Sequence, residues 1–239
     1  MPRDVGVVLA AAGQSLRLGG GTPKQYRELG GVPILLRSLR PFTAHPDVAH
    51  VVVVLPASDI AVPPAWLAPL AGAGLTLVAG GAERSDSVAA GLAALPGECA
   101  IVLVHDAARP LVDRQTIDGV IAAVREGVGA VPAIPVGDTL KEADEPPSRR
   151  VLRTVPRDRL YRVQTPQGFP RALLEWAHGE ATGEGLTATD DAALVERLGS
   201  EVRLVPGSPR NFKVTEPEDF ELAEVILRGE KGRGKGEKE

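Results

Sequence analysis

The chain has 239 residues, a formal net charge of −4 and one cysteine, Cys99. The near-balanced charge gives no sign of nucleic acid or an anionic membrane as a partner, and a single cysteine excludes an intramolecular disulfide or a Cys-rich metal site. Four scattered histidines speak against zinc, the amino terminus lacks a secretory pattern, and no run of about 20 uncharged apolar residues is present to span a bilayer. The expected setting is the cytoplasm, and the length suits one large domain.

In chain order, short Val/Ile/Leu runs at 5–11, 51–55, 75–79, 101–104, 129–134 and 202–205 predict strands. They are apolar at successive positions, the pattern of strands covered on both faces. Longer amphipathic segments at 33–44, 65–70, 84–95, 114–126, 171–178, 190–198 and 217–227 predict helices. The alternation predicts a doubly wound, mostly parallel α/β sheet. Cys99 reads as a small buried hydrophobe leading into a strand. Residues 138–156 break the pattern. They are polar and proline-interrupted, with short strands expected at 139–142 and 150–155, so they read as a β-hairpin arm leaving a single domain that spans 1–228. The Gly/Lys/Glu-rich tail, 229–239, is expected to be disordered.

The first strand runs into Ala11-Ala12-Gly13-Gln14-Ser15-Leu16-Arg17-Leu18-Gly19-Gly20-Gly21-Thr22-Pro23-Lys24. Ligands of doubly wound sheets bind at the carboxyl ends of strands, where this loop begins. Glycines allow backbone N–H groups close to phosphate, and Arg17 and Lys24 bring positive charge. The loop lacks the Gly-Lys-Ser/Thr ending of a Walker motif, and Ser15 replaces the second glycine of a dinucleotide fingerprint. Further along stand Gly80-Gly81-Ala82-Glu83-Arg84-Ser85-Asp86-Ser87-Val88, Val104-His105-Asp106-Ala107-Ala108-Arg109-Pro110, Asp138-Thr139-Leu140-Lys141, Gln164-Thr165-Pro166-Gln167, Thr189-Asp190-Asp191-Ala192 and Asn211-Phe212-Lys213-Val214-Thr215.

Together these motifs resemble those of the 2-C-methyl-D-erythritol 4-phosphate cytidylyltransferase family, over about residues 4 to 227. The resemblance implies a Rossmann-like nucleotidyltransferase fold and transfer of CMP from CTP to a small polyol phosphate with release of pyrophosphate, in isoprenoid precursor biosynthesis. It implies Arg17 and Lys24 at the α-phosphate, Lys213 and Arg157 as further catalytic cations, and Asp106 as the ligand of Mg²⁺. Ala11, Ala12, Gly13, Gly81, Ala82 and Ser87 are expected around CTP. Ser87 suits a helix cap equally well. Thr139, Arg109, Thr165 and Thr189 are assigned to the acceptor, with Arg109 either holding it or pairing with Asp106. His105 reads as a packed structural histidine, because the nucleophile needs no base. The arm is expected to swap between two subunits of a homodimer and complete the partner's pocket.

Three positions depart from the family pattern. Ser15 stands where glycine is usual, Ala82 where an acidic side chain is frequent, and Arg210 where an aspartate is common. The alternatives carried by the motifs are a ribitol-5-phosphate cytidylyltransferase and a catalytically inactive nucleotide-binding protein. The cyclodiphosphate synthase that many homologues carry at the carboxyl end is expected to be absent.

Overall fold

The computed structural model describes residues 3–13, 22–72, 74–184 and 188–233. The chain opens with β1 (Val5–Ala10), a small antiparallel pair, β2 (Glu28–Leu29) and β3 (Val32–Pro33), and α1 (Ile34–Thr43). It continues through β4 (Val48–Leu55), α2 (Ala57–Ala61), β5 (Leu75–Ala79), α3 (Arg84–Ala93), β6 (Ile101–Asp106), α4 (Arg114–Arg125) and β7 (Gly129–Pro135). An arm of β8 (Leu140–Ala143) and β9 (Val151–Val155) follows. Then come β10 (Tyr161–Val163), β11 (Gln167–Pro170), α5 (Arg171–Glu184), α6 (Asp191–Arg197), β12 (Val202–Pro206) and α7 (Pro217–Arg233).

The main sheet runs β10-β7-β11-β6-β1-β4-β5, with β12 also paired to β7. Its β6-β1-β4-β5 half is parallel throughout. In the other half β11 lies antiparallel to both β6 and β7, and β10 is antiparallel to β7. The architecture is the predicted doubly wound, mostly parallel α/β sheet.

The continuous apolar runs of the parallel strands explain this packing, because side chains alternate between the two faces. Val7, Leu9, Val53 and Leu103 join one core with Leu35, Leu39 and Phe42 of α1 and Ile117 and Val120 of α4. Val8, Val52, Val54 and Val104 join a second core with Val88 and Leu92 of α3, Leu174 of α5 and Val195 of α6. Cys99 is buried in that second core as a free thiol. A third, smaller core links Leu29, Ile34, Val214 and Ala223 and docks α7.

Element boundaries match the sequence reading to within a few residues in most places. The exception is 65–70, where a helix is predicted and only a 3₁₀ turn forms at Ala68–Leu70. Pro69 has no N–H for a helical ladder, and Pro63 and Pro64 bias the preceding residues away from helix. The helix in this connection is instead α2, directly after Pro56. The strands β2, β3, β10 and β11 have no counterpart in the sequence reading. Helix α7 runs on to Arg233, into the segment read as a disordered tail, and 234–239 lie outside the described residues. The hairpin forms as expected, β8 pairing antiparallel with β9 as a two-stranded sheet of its own.

Candidate active site

Strand order places the carboxyl ends of β6, β1, β4 and β5 side by side. Ala10 of β1 is in register with Asp106 of β6 and Val54 of β4. The chain leaving each strand is held close to the sheet. Ala107 N–H donates to Ala10 O at 3.1 Å, Ala11 N–H to Val54 O at 2.9 Å, and Gly80 N–H to Leu55 O at 2.8 Å. Beyond these ends lies a cavity of about 370 Å³. Its lining includes Ala11, Ala12, Gly13, Lys24, Gly81, Ala82, Ser87, Asp106 and Lys213, all assigned to the site from sequence. Arg17 lies outside the described residues.

The glycine pair at the start of α3 is sterically required. A Cβ on Gly80 would stand 2.5 Å from Ala12 Cβ and 2.6 Å from Ser87 Oγ, and one on Gly81 would stand 2.3 Å from Asp86 Cβ. The helix start packs directly onto the first loop, so a flat ligand meets backbone and small side chains there. Ser87 is not the cap of α3. It lies within the helix, donates through Oγ to Glu83 O at 3.1 Å and accepts from Gly81 N–H at 3.2 Å. Asp86 accepts from Glu83 N–H at 3.0 Å and so closes the first turn.

Asp106, at the end of β6, is ringed by three cations. Lys213 Nζ lies 3.0 Å from Oδ2, Arg84 Nε 3.5 Å from Oδ1 and Arg109 Nε 3.9 Å from Oδ2. Burial pushes this carboxyl up, but Lys213 and then Arg84 outweigh it and hold it at about 2. The group is therefore a fixed anion at neutral pH. Lys213 is aimed at it by the backbone, since Val214 N–H donates to Ala108 O at 2.8 Å. Lys24 is nearly buried in the cavity wall and opens a 3₁₀ turn after Pro23, whose fixed φ sets the entry angle.

Behind Asp106 runs a hydrogen-bond chain with a determined direction. His105 Nε2 lies 3.2 Å from the carbonyl of Arg109, which can only accept, so Nε2 carries the proton. His105 Nδ1 then accepts from Thr165 Oγ1 at 2.9 Å, and Thr165 Oγ1 accepts from Asp106 N–H at 3.1 Å. Burial drops His105 to about 4, so it is neutral at physiological pH. The ring also packs against Phe42, with centroids 4.9 Å apart. His105 thus braces the strand end from behind.

The four residues assigned to the acceptor are not in the lining of this cavity. Thr165 is buried with its hydroxyl already engaged by Asp106 and His105, so it positions the Asp106 backbone. Arg109 turns inward, donating from Nη1 to Asn211 O at 2.8 Å and lying near Asp106. Burial pushes its pKa down. Thr189 is exposed just before α6, outside the cavity lining. Thr139 is exposed at the base of the arm. Arg157, read as catalytic, is likewise exposed there and donates to Gly137 O.

The sequence reading gives no role to Arg84, Glu83, Gln25 or Thr215, which also line the cavity. Arg84 bridges two carboxylates, Asp106 and Asp191, the latter at 2.8 Å from Nη1. Its place as the first residue of α3, next to the glycine pair, is the available signal. Among the described residues no group of three His, Cys, Asp or Glu side chains is placed to hold a metal. The cavity lining offers two carboxylates, Glu83 and the ionised Asp106. That fits a Mg²⁺ taking its other ligands from phosphate oxygens and water, and does not fit a site built from protein alone.

Strand ends that gather a glycine-floored pocket with Lys24, Lys213, Arg84 and the Asp106 carboxylate have the make-up of a nucleotidyltransferase site. The model of the family "IspD: 2-C-methyl-D-erythritol 4-phosphate cytidylyltransferase" matches residues 5–229, and the chain belongs to that family. A 2-C-methyl-D-erythritol 4-phosphate cytidylyltransferase of Salinibacter ruber is 48% identical over 221 residues, covering 92% of this chain and 91% of the relative. The Bifunctional enzyme IspD/IspF of Clavibacter michiganensis is 47% identical and covers 96% of this chain, which spans 56% of that longer protein. The crystal structure of 2-C-methyl-D-erythritol 4-phosphate cytidylyltransferase from Thermus thermophilus superposes with a TM-score of 0.77 at 41% identity, covering 92% of this chain and 98% of the other.

Proposed function

We infer that this chain transfers CMP from CTP to 2-C-methyl-D-erythritol 4-phosphate, giving 4-diphosphocytidyl-2-C-methyl-D-erythritol and pyrophosphate in isoprenoid precursor biosynthesis. The observation that carries the reading is the meeting of Lys213 and Asp106 beside Lys24 in the glycine-floored cavity of a chain of this family.

The acceptor is a phosphate monoester, whose second pKa is about 6. Its oxygen is already ionised at neutral pH, attacks the α-phosphorus of CTP in line and displaces pyrophosphate, which leaves with the electron pair of the broken P–O bond. No protein group needs to take a proton. His105 agrees with this, being neutral with both ring nitrogens engaged. Catalysis is then positioning and charge stabilisation. Lys24, with Arg17 of the same loop, stabilises charge on the α-phosphate as it becomes five-coordinate. Lys213 aligns the acceptor phosphate. Gly81, Ala82 and Ser87 on one side and Ala11, Ala12 and Gly13 on the other enclose the cytidine. Asp106 is the residue that would hold Mg²⁺, and the ion would supply neutralisation of phosphate repulsion when bound.

The arm serves a homodimer. Its two strands pair only with each other, and Val151 and Leu152 are more than half exposed. Tyr161 and Val163 of the adjoining edge strand β10 are nearly half exposed. A second copy covers these apolar side chains. Thr139 and Arg157, which miss this chain's own cavity, then reach the partner's acceptor pocket. A reaction that consumes CTP belongs in the cytoplasm, and no helix among the described residues is long and apolar enough to cross a membrane.

Phosphorus NMR of the chain with CTP, Mg²⁺ and the branched acceptor tests the reading. The expected result is loss of the triphosphate signals and growth of pyrophosphate together with a diphosphate diester. Unchanged CTP in the presence of folded protein contradicts it.

A further inference from the structure

Asp191 begins α6 on the far side of the cavity wall and is almost wholly buried, with 1% of its side chain exposed. Every approach to it is occupied. Oδ1 lies 3.0 Å from His178 Nε2, Oδ2 accepts from Arg84 Nη1 at 2.8 Å, and the backbone N–H groups of Asp191 and Ala192 each donate to Gln167 Oε1 at 3.1 Å. Gln167 is itself fixed, donating from Nε2 to Asp190 Oδ2 at 2.7 Å. A buried charge with this many partners is costly unless each is met. The same guanidinium faces Asp106 from Nε at the longer distance of 3.5 Å, and its Nη2 has no acceptor among the described residues.

We propose that Asp191 is a positioning residue for cytidylyl transfer. It ties Arg84 down by one edge of the guanidinium, so that this cation stands along the cavity wall without closing onto Asp106. The proposal rests on the cytidylyl-transfer reading. A guanidinium engages a carboxylate best as a two-pronged fork. Without Asp191, Arg84 keeps Asp106 as its ion-pair partner and turns both prongs onto it. Asp106 is then shared between Arg84 and Lys213, and its oxygens are withdrawn from the metal-bound nucleotide. Nη2, the edge without an acceptor among the described residues, is lost to the phosphates in the same movement. His178 and Gln167 act one step further back, by fixing the carboxylate that fixes Arg84.

The test is a cycle of Asp191→Asn, Arg84→Lys and the double variant. CTP binding is measured by calorimetry with Mg²⁺, turnover with both substrates, and folding by thermal melting. Loss of one charge-assisted hydrogen bond corresponds to about a tenfold effect or more. Asp191→Asn is expected to weaken CTP binding by about that factor while the KM for the acceptor stays near wild type. Arg84→Lys, which keeps the charge and loses the fork, is expected to do the same. In the Arg84→Lys background, Asp191→Asn is expected to add almost nothing, because the two act as one unit. A folded Asp191→Asn variant with wild-type CTP affinity overturns the proposal. So does an equal loss in both backgrounds, or an equal loss towards the acceptor, as a purely structural role produces. If Asp191→Asn does not fold, Arg84→Lys decides alone, and wild-type CTP affinity in that variant overturns the proposal. Absence of CTP binding by the wild-type chain overturns both this proposal and the reading beneath it.

Discussion

Lys213 Nζ and Asp106 Oδ2 stand 3.0 Å apart although they lie far apart in the chain, and backbone geometry accounts for the meeting. The segment carrying Lys213 is pinned to the loop after β6 by Val214 N–H on Ala108 O. Arg109 ties the same two segments from the other side through Asn211 O at 2.8 Å. Asn211 is fully buried and donates from Nδ2 to Thr165 O at 2.8 Å, so three motifs distant in sequence share one hydrogen-bonded frame.

This frame predicts that Lys213→Ala lowers kcat on the order of 10²-fold, the scale of losing a charge-stabilising donor. Asp106 should also lose much of what holds its pKa down, because Lys213 is the strongest of its stabilising partners. Steady-state kinetics with both substrates check the first outcome, and near-wild-type turnover contradicts it.

Lys24→Ala and Arg17→Ala are expected to cut turnover by about 10²-fold or more while CTP affinity changes far less, since both cations act on charge that develops in the transition state. Paired kinetic and calorimetric measurements separate the two effects. A proportional loss of CTP binding would show ground-state binding instead.

Gly81→Ala should disturb both folding and nucleotide binding. The added methyl meets Asp86 Cβ at 2.3 Å, inside the turn that opens α3. Overpacking of this kind costs about 1–3 kcal/mol, and the displaced turn carries Ala82 and Ser87 with it. Thermal melting and CTP titration are the checks, and a wild-type melting curve would mean that the turn yields at no cost.

Acid should destabilise the fold in two successive windows. Folded His105 sits at about 4 against an ordinary 6.5, so between those values the unfolded chain binds the proton and the folded chain does not. Stability therefore falls as pH drops from 6.5 to 4, by about 3 kcal/mol in order of magnitude. Asp106 is lowered from 3.8 to about 2, so its contribution is fully present above 3.8 and lost as pH falls towards 2. Melting temperatures at pH 7, 5 and 3.5 should fall step by step, and His105→Gln should flatten the first step. A melting temperature unchanged between pH 7 and 4.5 contradicts this account of His105.

If the arm completes a partner's site, Arg157→Ala should impair use of the acceptor but leave CTP binding intact. Mixed with Lys24→Ala under subunit exchange, it should recover activity, because one heterodimer site then carries neither lesion. No recovery in exchanged mixtures argues against a shared site.

The parallel strands are legible in the sequence because continuous Val/Ile/Leu runs have few other uses, and the cavity is legible because its glycines and cations follow strand ends directly. β11 escapes notice because four residues containing Gly168 and Pro170 present no apolar run. Thr165 reads as a ligand contact because its motif is polar. Only the fold reveals that its hydroxyl lies behind Asp106, between that backbone N–H and His105. Arg84 escapes because its second partner, Asp191, is 107 positions away. Such pairings depend on how the fold brings the starts of α3 and α6 together, which no local pattern encodes.

The most direct test of the central claim is pyrophosphate release with CTP and Mg²⁺, comparing 2-C-methyl-D-erythritol 4-phosphate with D-ribitol 5-phosphate under the same conditions. The account predicts strong preference for the branched acceptor in kcat/KM. Preference for ribitol phosphate, or measurable CTP binding with release from neither acceptor, would contradict it.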